Sequence, residues 1–163
     1  MEVIDVEFMP MHEISVGECL GMTGVYVLWS MNARERPSYI GEGDVLSRIL
    51  SHYTDKEKPF ASGLDGYVGA LDGHTNRLKT DAQIVEKTLL EAADRLGISP
   101  RINKASGNRA AIDRRGKRDD TIRVNVRGWH PLRLDKRISG TARLTWRWYD
   151  EWVLDEMPWH RSG

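Results

Sequence analysis

The sequence predicts an α+β domain: a small, mainly three-stranded antiparallel sheet flanked by helices, with further strands or helices from both ends. Two observations predict it. Stretches rich in β-branched, aromatic and alternating apolar residues occur at 2–9, 24–29, 37–41, 67–71 and 121–127, which suits strands with one covered face. Stretches with apolar residues at three- and four-residue steps occur at 44–53 and 80–96, which suits helices lying on a sheet. No repeat of fixed period appears.

At 163 residues the chain is long enough for one ordinary domain with a core and a small extension. Apolar content of 40% and charged content of 29% describe a soluble globular protein. No apolar run approaches the roughly 20 residues of a membrane helix, and the acidic start MEVIDVEFMP lacks the basic region of a signal peptide. An intracellular, cytoplasmic location is therefore expected. The lone Cys19 excludes an intramolecular disulfide and a Cys-rich zinc site, and reads as a small buried hydrophobe.

Formal charge sums to zero, but its distribution is uneven. Residues 1–100 hold 9 Lys/Arg against 16 Asp/Glu, residues 101–147 hold 14 against 4, and residues 148–163 hold 1 against 4. The middle segment is basic enough to attract a polyphosphate by counterion release.

Taken in order, EVIDVEFM is a first strand with Val3, Val6 and Phe8 as its buried positions, and HEISVGECLG a short helix ending at Gly21. Gly24–Trp29 and Pro37–Gly41 form an antiparallel hairpin, which sets Tyr26 and Tyr39 on neighbouring strands. Asp44 caps a helix whose stripe is Val45, Leu46, Ile49, Leu50 and Tyr53. Arg48 and His52 share the adjacent stripe one turn apart. A strand lies around Tyr67–Leu71, and Thr80 with Gln83 is a capping box opening a helix through Leu96 that Gly97 closes.

On that helix Val85, Leu89, Ala92 and Leu96 define the buried face. At about 100° per residue, Glu86 lies roughly 90° from its centre and Glu91 roughly 130°. Glu86 can thus enter a cleft while staying hydrated, and Glu91 points to solvent. Residues 104–120 are a basic, Gly-punctuated loop. TIRVNVR is a strand with Ile122, Val124 and Val126 on one face and Arg123 and Arg127 on the other. A strand through Trp146 and a short acidic helix after Tyr149 close the chain. The tryptophans at 129, 146, 148, 152 and 159 read as a small core attaching this extension to the sheet, in preference to a surface for stacking bases. His74 beside Asp72 reads as a solvated loop histidine.

Gly24-Val25-Tyr26, Tyr39-Ile40-Gly41, Arg48, His52, Glu86 and Asn103, in that order, resemble the GIY-YIG nuclease family. The resemblance covers residues 24–103, leaving 1–23 as an N-terminal extension and 104–163 as a basic, Trp-rich C-terminal extension. It implies a metal-dependent endonuclease that hydrolyses a phosphodiester, with DNA a better candidate substrate than RNA. Tyr26 matches the tyrosine proposed as general base, whose pKa of about 10 needs lowering by nearby cations. Tyr39 holds water or phosphate, and Arg48 contacts the phosphate with a planar, permanently charged fork. His52 contacts the phosphate or assists the base, and Asn103 orders the site by hydrogen bonding. Glu86 holds one Mg²⁺ or Mn²⁺, a hard ion suited to a carboxylate, waters and substrate oxygens. Gly41 permits a tight exit from the strand.

Two features depart from the family pattern. Glu42 stands where many members carry lysine, so cationic help for Tyr26 falls to Arg48 or His52. The interval from Glu86 to Asn103 is longer than in many members, although EKTLLEAADRLG is similar to branches with a longer helix, which favours Glu86 over Glu91. The alternatives from other classes are a catalytically silent nucleic-acid-binding module on the same fold and a protein-interaction domain in which the tripeptides are coincidental.

Overall fold

The computed structural model describes residues 2–14, 21–31, 33–45, 47–48, 64–71, 78–100, 121–147 and 153–154. The strands are β1 (Glu2–Pro10), β2 (Thr23–Ser30), β3 (Tyr39–Asp44), β4 (Leu64–Leu71), β5 (Thr121–Gly128), β6 (Ala142–Arg147) and β7 (Val153–Leu154). One long helix, α1 (Leu78–Arg95), lies between β4 and β5 in the chain. The strands form a single seven-stranded sheet in the order β3-β2-β4-β1-β5-β6-β7. Every neighbouring pair is antiparallel except β1 with β5, which run parallel.

The class is α+β as expected, but the sheet is mixed and has seven strands, not mainly three antiparallel ones. The three expected strands, β3, β2 and β4, sit side by side at one end of it. β1, from the segment 1–23, pairs with β4 on one side and β5 on the other, so the hydrogen bonding continues without a break into residues 121–147.

Alternation along β1 buries Ile4, Val6 and Phe8 and leaves Val3 46% exposed. Val3 and Val6 cannot share a face, because an odd separation puts two strand residues on opposite sides. Register with β5 decides the phase: Ile4 lies opposite Val124 and Val6 opposite Val126. Gly69 of β4 lies under this row, where an added Cβ would come 2.7 Å from Cε1 of Phe8.

One face of the sheet carries Val25, Val27, Trp29, Ile40, Tyr67, Ile122, Val124 and Leu144, and Ala82, Val85, Leu89 and Ala92 of α1 join the same core. A fully buried aliphatic or aromatic side chain contributes roughly 1.5–3 kcal/mol. α1 begins at Leu78, before the expected capping box. It ends in a left-handed Gly97 (φ 73°) with Ile98 N–H donating to Ala93 O (2.9 Å) and Gly97 N–H to Asp94 O (3.0 Å), a Schellman closure. The opposite face holds a smaller cluster of Tyr26, Leu28, Val45 and Val68, against which Met11, Ile14, Met22 and Tyr39 pack.

Near the start, only a 3-10 turn at Met11–Glu13 is helical among the described residues of 11–20. Val153–Leu154 pairs as β7 with β6, in the region where a helix was expected. The connection from β5 to β6 folds onto the core: Leu132 and Ile138 are buried, and Trp29 Nε1–H donates to Pro131 O (3.3 Å). Trp129 stacks on Tyr67 at 6.3 Å between centroids, and the Arg137 guanidinium lies 5.2 Å from the centre of its ring, a packing role for that tryptophan. No helix among the described residues is long and apolar enough to cross a membrane.

Candidate active site

The β2–β3 hairpin pairs Tyr26 with Gly41 and Leu28 with Tyr39. Directly opposite residues share a face, so both phenols lie on the same side, diagonal to one another. Their rings stack at 6.1 Å between centroids and 16° between planes. Tyr26 is buried, at 1% exposure, and Tyr39 is half-buried.

Gly41 is the reason the phenols fit. A Cβ at this position would fall on the Tyr26 hydroxyl and 2.7 Å from Cε1 of Tyr39. No strand exit occurs at Gly41, since β3 continues to Asp44; the positive φ in this stretch is two residues later, at Gly43 (φ 122°). Beyond it, Asp44 Oδ1 accepts from Ser47 N–H at 3.0 Å, the expected N-cap of the helical turn that carries Arg48. The Arg48 side chain crosses Gly43, where an added Cβ would lie 3.3 Å from its Nε.

Glu86 comes from α1, which packs against both β2 and β3. It is half-buried at the rim of the helix's packed face, as its angular position implies. Burial, and then the negative charge of Glu42, push its carboxyl up to about 7, against the opposing pull of Arg48. Tyr26 is pushed well above the ordinary phenol value, first by burial and next by Tyr39, with Glu86 and Glu42 adding to the rise and Arg48 resisting it. Tyr39 is raised by burial and then by Glu86, again with Arg48 opposing.

Each of these four groups therefore lies within electrostatic reach of the others, at the end of the sheet where β3 is the outermost strand. Tyr26, Tyr39, Arg48 and Glu86 are brought together; His52 and Asn103 lie outside the described residues, as do Cys19 and His74. Glu91 is engaged elsewhere, its Oε1 held 2.7 Å from Nζ of Lys87 one turn back.

Glu42 belongs to this cluster although the sequence pattern did not single it out as a site residue. It lies opposite Val25, so it belongs to the α1-covered face of β3, whereas Tyr39 and Gly41 belong to the other. The period-two phase of Tyr39-Ile40-Gly41-Glu42 carries that signal: Glu42 follows Ile40 onto the helix side.

The donor set can be tested against the divalent ion that the resemblance implies. Two carboxylates and two phenols supply oxygen donors, and the raised Glu86 carboxyl marks a place short of positive charge, which a hard divalent cation relieves. Among the described residues no three His, Cys, Asp or Glu side chains gather into a larger metal-binding group. Such a site suits an ion that completes its shell with water and substrate oxygens. No family model matches the chain, and neither the curated proteins nor the solved structures include a significant match to it.

Proposed function

We propose that this protein is a metal-dependent endonuclease of GIY-YIG type, hydrolysing a DNA phosphodiester, with β3, β2, β4 and α1 as the nuclease unit inside a larger sheet. The observation that carries the proposal is the mutual electrostatic influence of Tyr26, Tyr39, Arg48 and Glu86, four residues drawn from separate elements. A cytoplasmic location belongs to the same proposal.

In this reading Arg48, exposed and permanently charged, binds the scissile phosphate. Glu86, with Glu42 beside it, holds Mg²⁺ or Mn²⁺, which when bound stabilises negative charge on the phosphate and departing oxygen. Tyr39 fixes the phosphate or the attacking water by its hydroxyl. Tyr26 takes the proton from that water, and its burial sets the condition for doing so. A buried phenol without added positive charge keeps its proton, so Arg48 is the residue of this chain that moves it toward the phenolate.

Purified protein is expected to nick supercoiled plasmid in the presence of Mg²⁺ or Mn²⁺. Glu86→Ala and Arg48→Ala should each lower the rate by about 10²–10³, as removing one preorganised charge does. Cleavage at the parent's rate by both variants overturns the assignment. A second reading, a silent nucleic-acid-binding module, is favoured by the burial that pushes the Tyr26 phenol and the Glu86 carboxyl above their ordinary values; DNA binding with no nicking under either metal selects it.

A further inference from the structure

β5 and β6 belong to the same continuous sheet as β2 and β3, which carry the two phenols of the candidate site, and register connects them. Gly24 of β2 lies opposite Ala70 of β4, Ala70 opposite Glu7 of β1, and Glu7 opposite Arg127 of β5. Residues in one such row share a face, and Gly24 shares its face with Tyr26 two positions on. Arg127 therefore projects from the same side of the sheet as the two phenols. Arg123 follows on that side of β5, and Arg143 on β6 lies opposite Asn125, also on that side. Arg127 and Arg143 are exposed and Arg123 is half-buried.

The charge on this face changes sign along the sheet. β1 contributes Asp5, whose Oδ1 accepts from Asn125 Nδ2 at 3.0 Å, and Glu7. Beyond β1, this face of β5 and β6 carries Arg123, Arg127 and Arg143, and no acid among the described residues. At the far end of the sheet the candidate site has the opposite character, because Glu42 on the α1-covered side of β3 and Glu86 on α1 lie within electrostatic reach of the phenols beside one arginine. A protein with no net charge is thus polar along its sheet. A polyanion is drawn to the β5–β6 end and enters the acidic end only with a cation.

We infer that the β5–β6 arginine face, with Arg123, Arg127 and Arg143, holds the phosphate backbone of the DNA flanking the scissile bond. The inference rests on the nuclease reading above and adds the side and reach of substrate contact. Three strand steps of about 4.8 Å separate β2 from β5, and a fourth reaches β6, which gives roughly 14–19 Å. At about 3.4 Å per base pair this spans roughly four to six base pairs on one side of the cut. The footprint is accordingly one-sided.

Binding of a fluorescent 30-base-pair duplex is measured by anisotropy in EDTA, where cleavage does not interfere. Removing one phosphate-neutralising side chain lowers the slope of log affinity against log salt by about 0.9. The double variant Arg127→Ala/Arg143→Ala should flatten that slope by about 1.8, so a fourfold rise in salt weakens the parent about 12-fold more than the variant. Arg127→Lys/Arg143→Lys should bind like the parent, which separates an effect of charge from an effect of folding. Arg95→Ala, on the end of α1, should leave the slope unchanged. Duplexes shortened on one side to fewer than about four base pairs should lose affinity, and those shortened equally on the other side should not.

An unchanged slope in the double alanine variant, absence of binding by the parent, or symmetric tolerance of shortening overturns the inference. Arginine-dependent binding without nicking upholds the surface and rejects the nuclease reading. Nicking with no dependence on these arginines does the reverse.

Discussion

Replacing Glu86 by glutamine tests the electrostatics of the site without relying on catalysis. The carboxyl is ordinary at 4.5 in the unfolded chain and is raised to about 7 in the folded one. Between those values the native state holds a proton that the unfolded state has released. Stability therefore falls as pH rises from 4.5 to about 7, is flat above, and the full penalty is present at pH 8. At about 1.4 kcal/mol per unit the ceiling is about 3 kcal/mol. Glu86 is half-buried, so screening by solvent reduces the expected penalty to about 1–2 kcal/mol. Glu86→Gln removes the titration while keeping the shape. Urea unfolding of both proteins in EDTA should give equal stability near pH 4.5 and an advantage of about 1–2 kcal/mol for the variant at pH 8. Added Mn²⁺ at ten times its dissociation constant should then stabilise the parent by about 1.4 kcal/mol at pH 8 and the variant by much less. Parallel pH profiles for the two proteins would refute the reasoning, since they would mean that Glu86 is not held against a charge deficit.

Two further substitutions probe how the site is held. Gly41→Ala inserts a methyl where the Tyr26 hydroxyl lies, and overpacking of this kind costs about 1–3 kcal/mol. Its urea midpoint should drop and nicking should fall with it, so a variant of parental stability and activity contradicts the ring placement. Tyr67→Phe removes the hydroxyl that accepts from Asp135 N–H at 2.8 Å. A decrease of about 0.5–1.5 kcal/mol in unfolding free energy is expected, with DNA nicking retained, and an unchanged value would mean the β5–β6 connection is anchored by other groups.

Local patterns were enough for several parts of this fold. The alternation Ile122, Val124, Val126 fixes β5 and its two faces without any partner, and Asp44 before an apolar stripe marks a helix start. Gly97 marks a helix end for the same reason, since a left-handed residue there is least costly as glycine. The phase of β1 was not legible, because Val3 and Ile4 are adjacent and only pairing with Val124 and Val126 selects Ile4. The parallel contact itself joins residues about 120 positions apart, and no nearby residue encodes it. At the site, tripeptides and spacing singled out Tyr26, Tyr39, Arg48 and Glu86, which lie within electrostatic reach of one another. The role of Gly41 was misread because its constraint is steric contact with a neighbouring strand, which a turn-based reading does not contain. Glu42 was read as a mismatch in a motif when its strand phase directs it to the helix.

The central position of β1 has a consequence for biosynthesis. One of its edges is matched by β4 soon after β4 emerges, but the other waits until β5 (Thr121–Gly128) has been translated. Throughout that interval a row of unsatisfied amides and carbonyls stands open beside a half-built core, an invitation to intermolecular strand addition. Maturation should accordingly be slow and late, limited by long-range closure. Ribosome-stalled chains ending before residue 121 should be captured by holding chaperones, whereas those extended past residue 147 should be released.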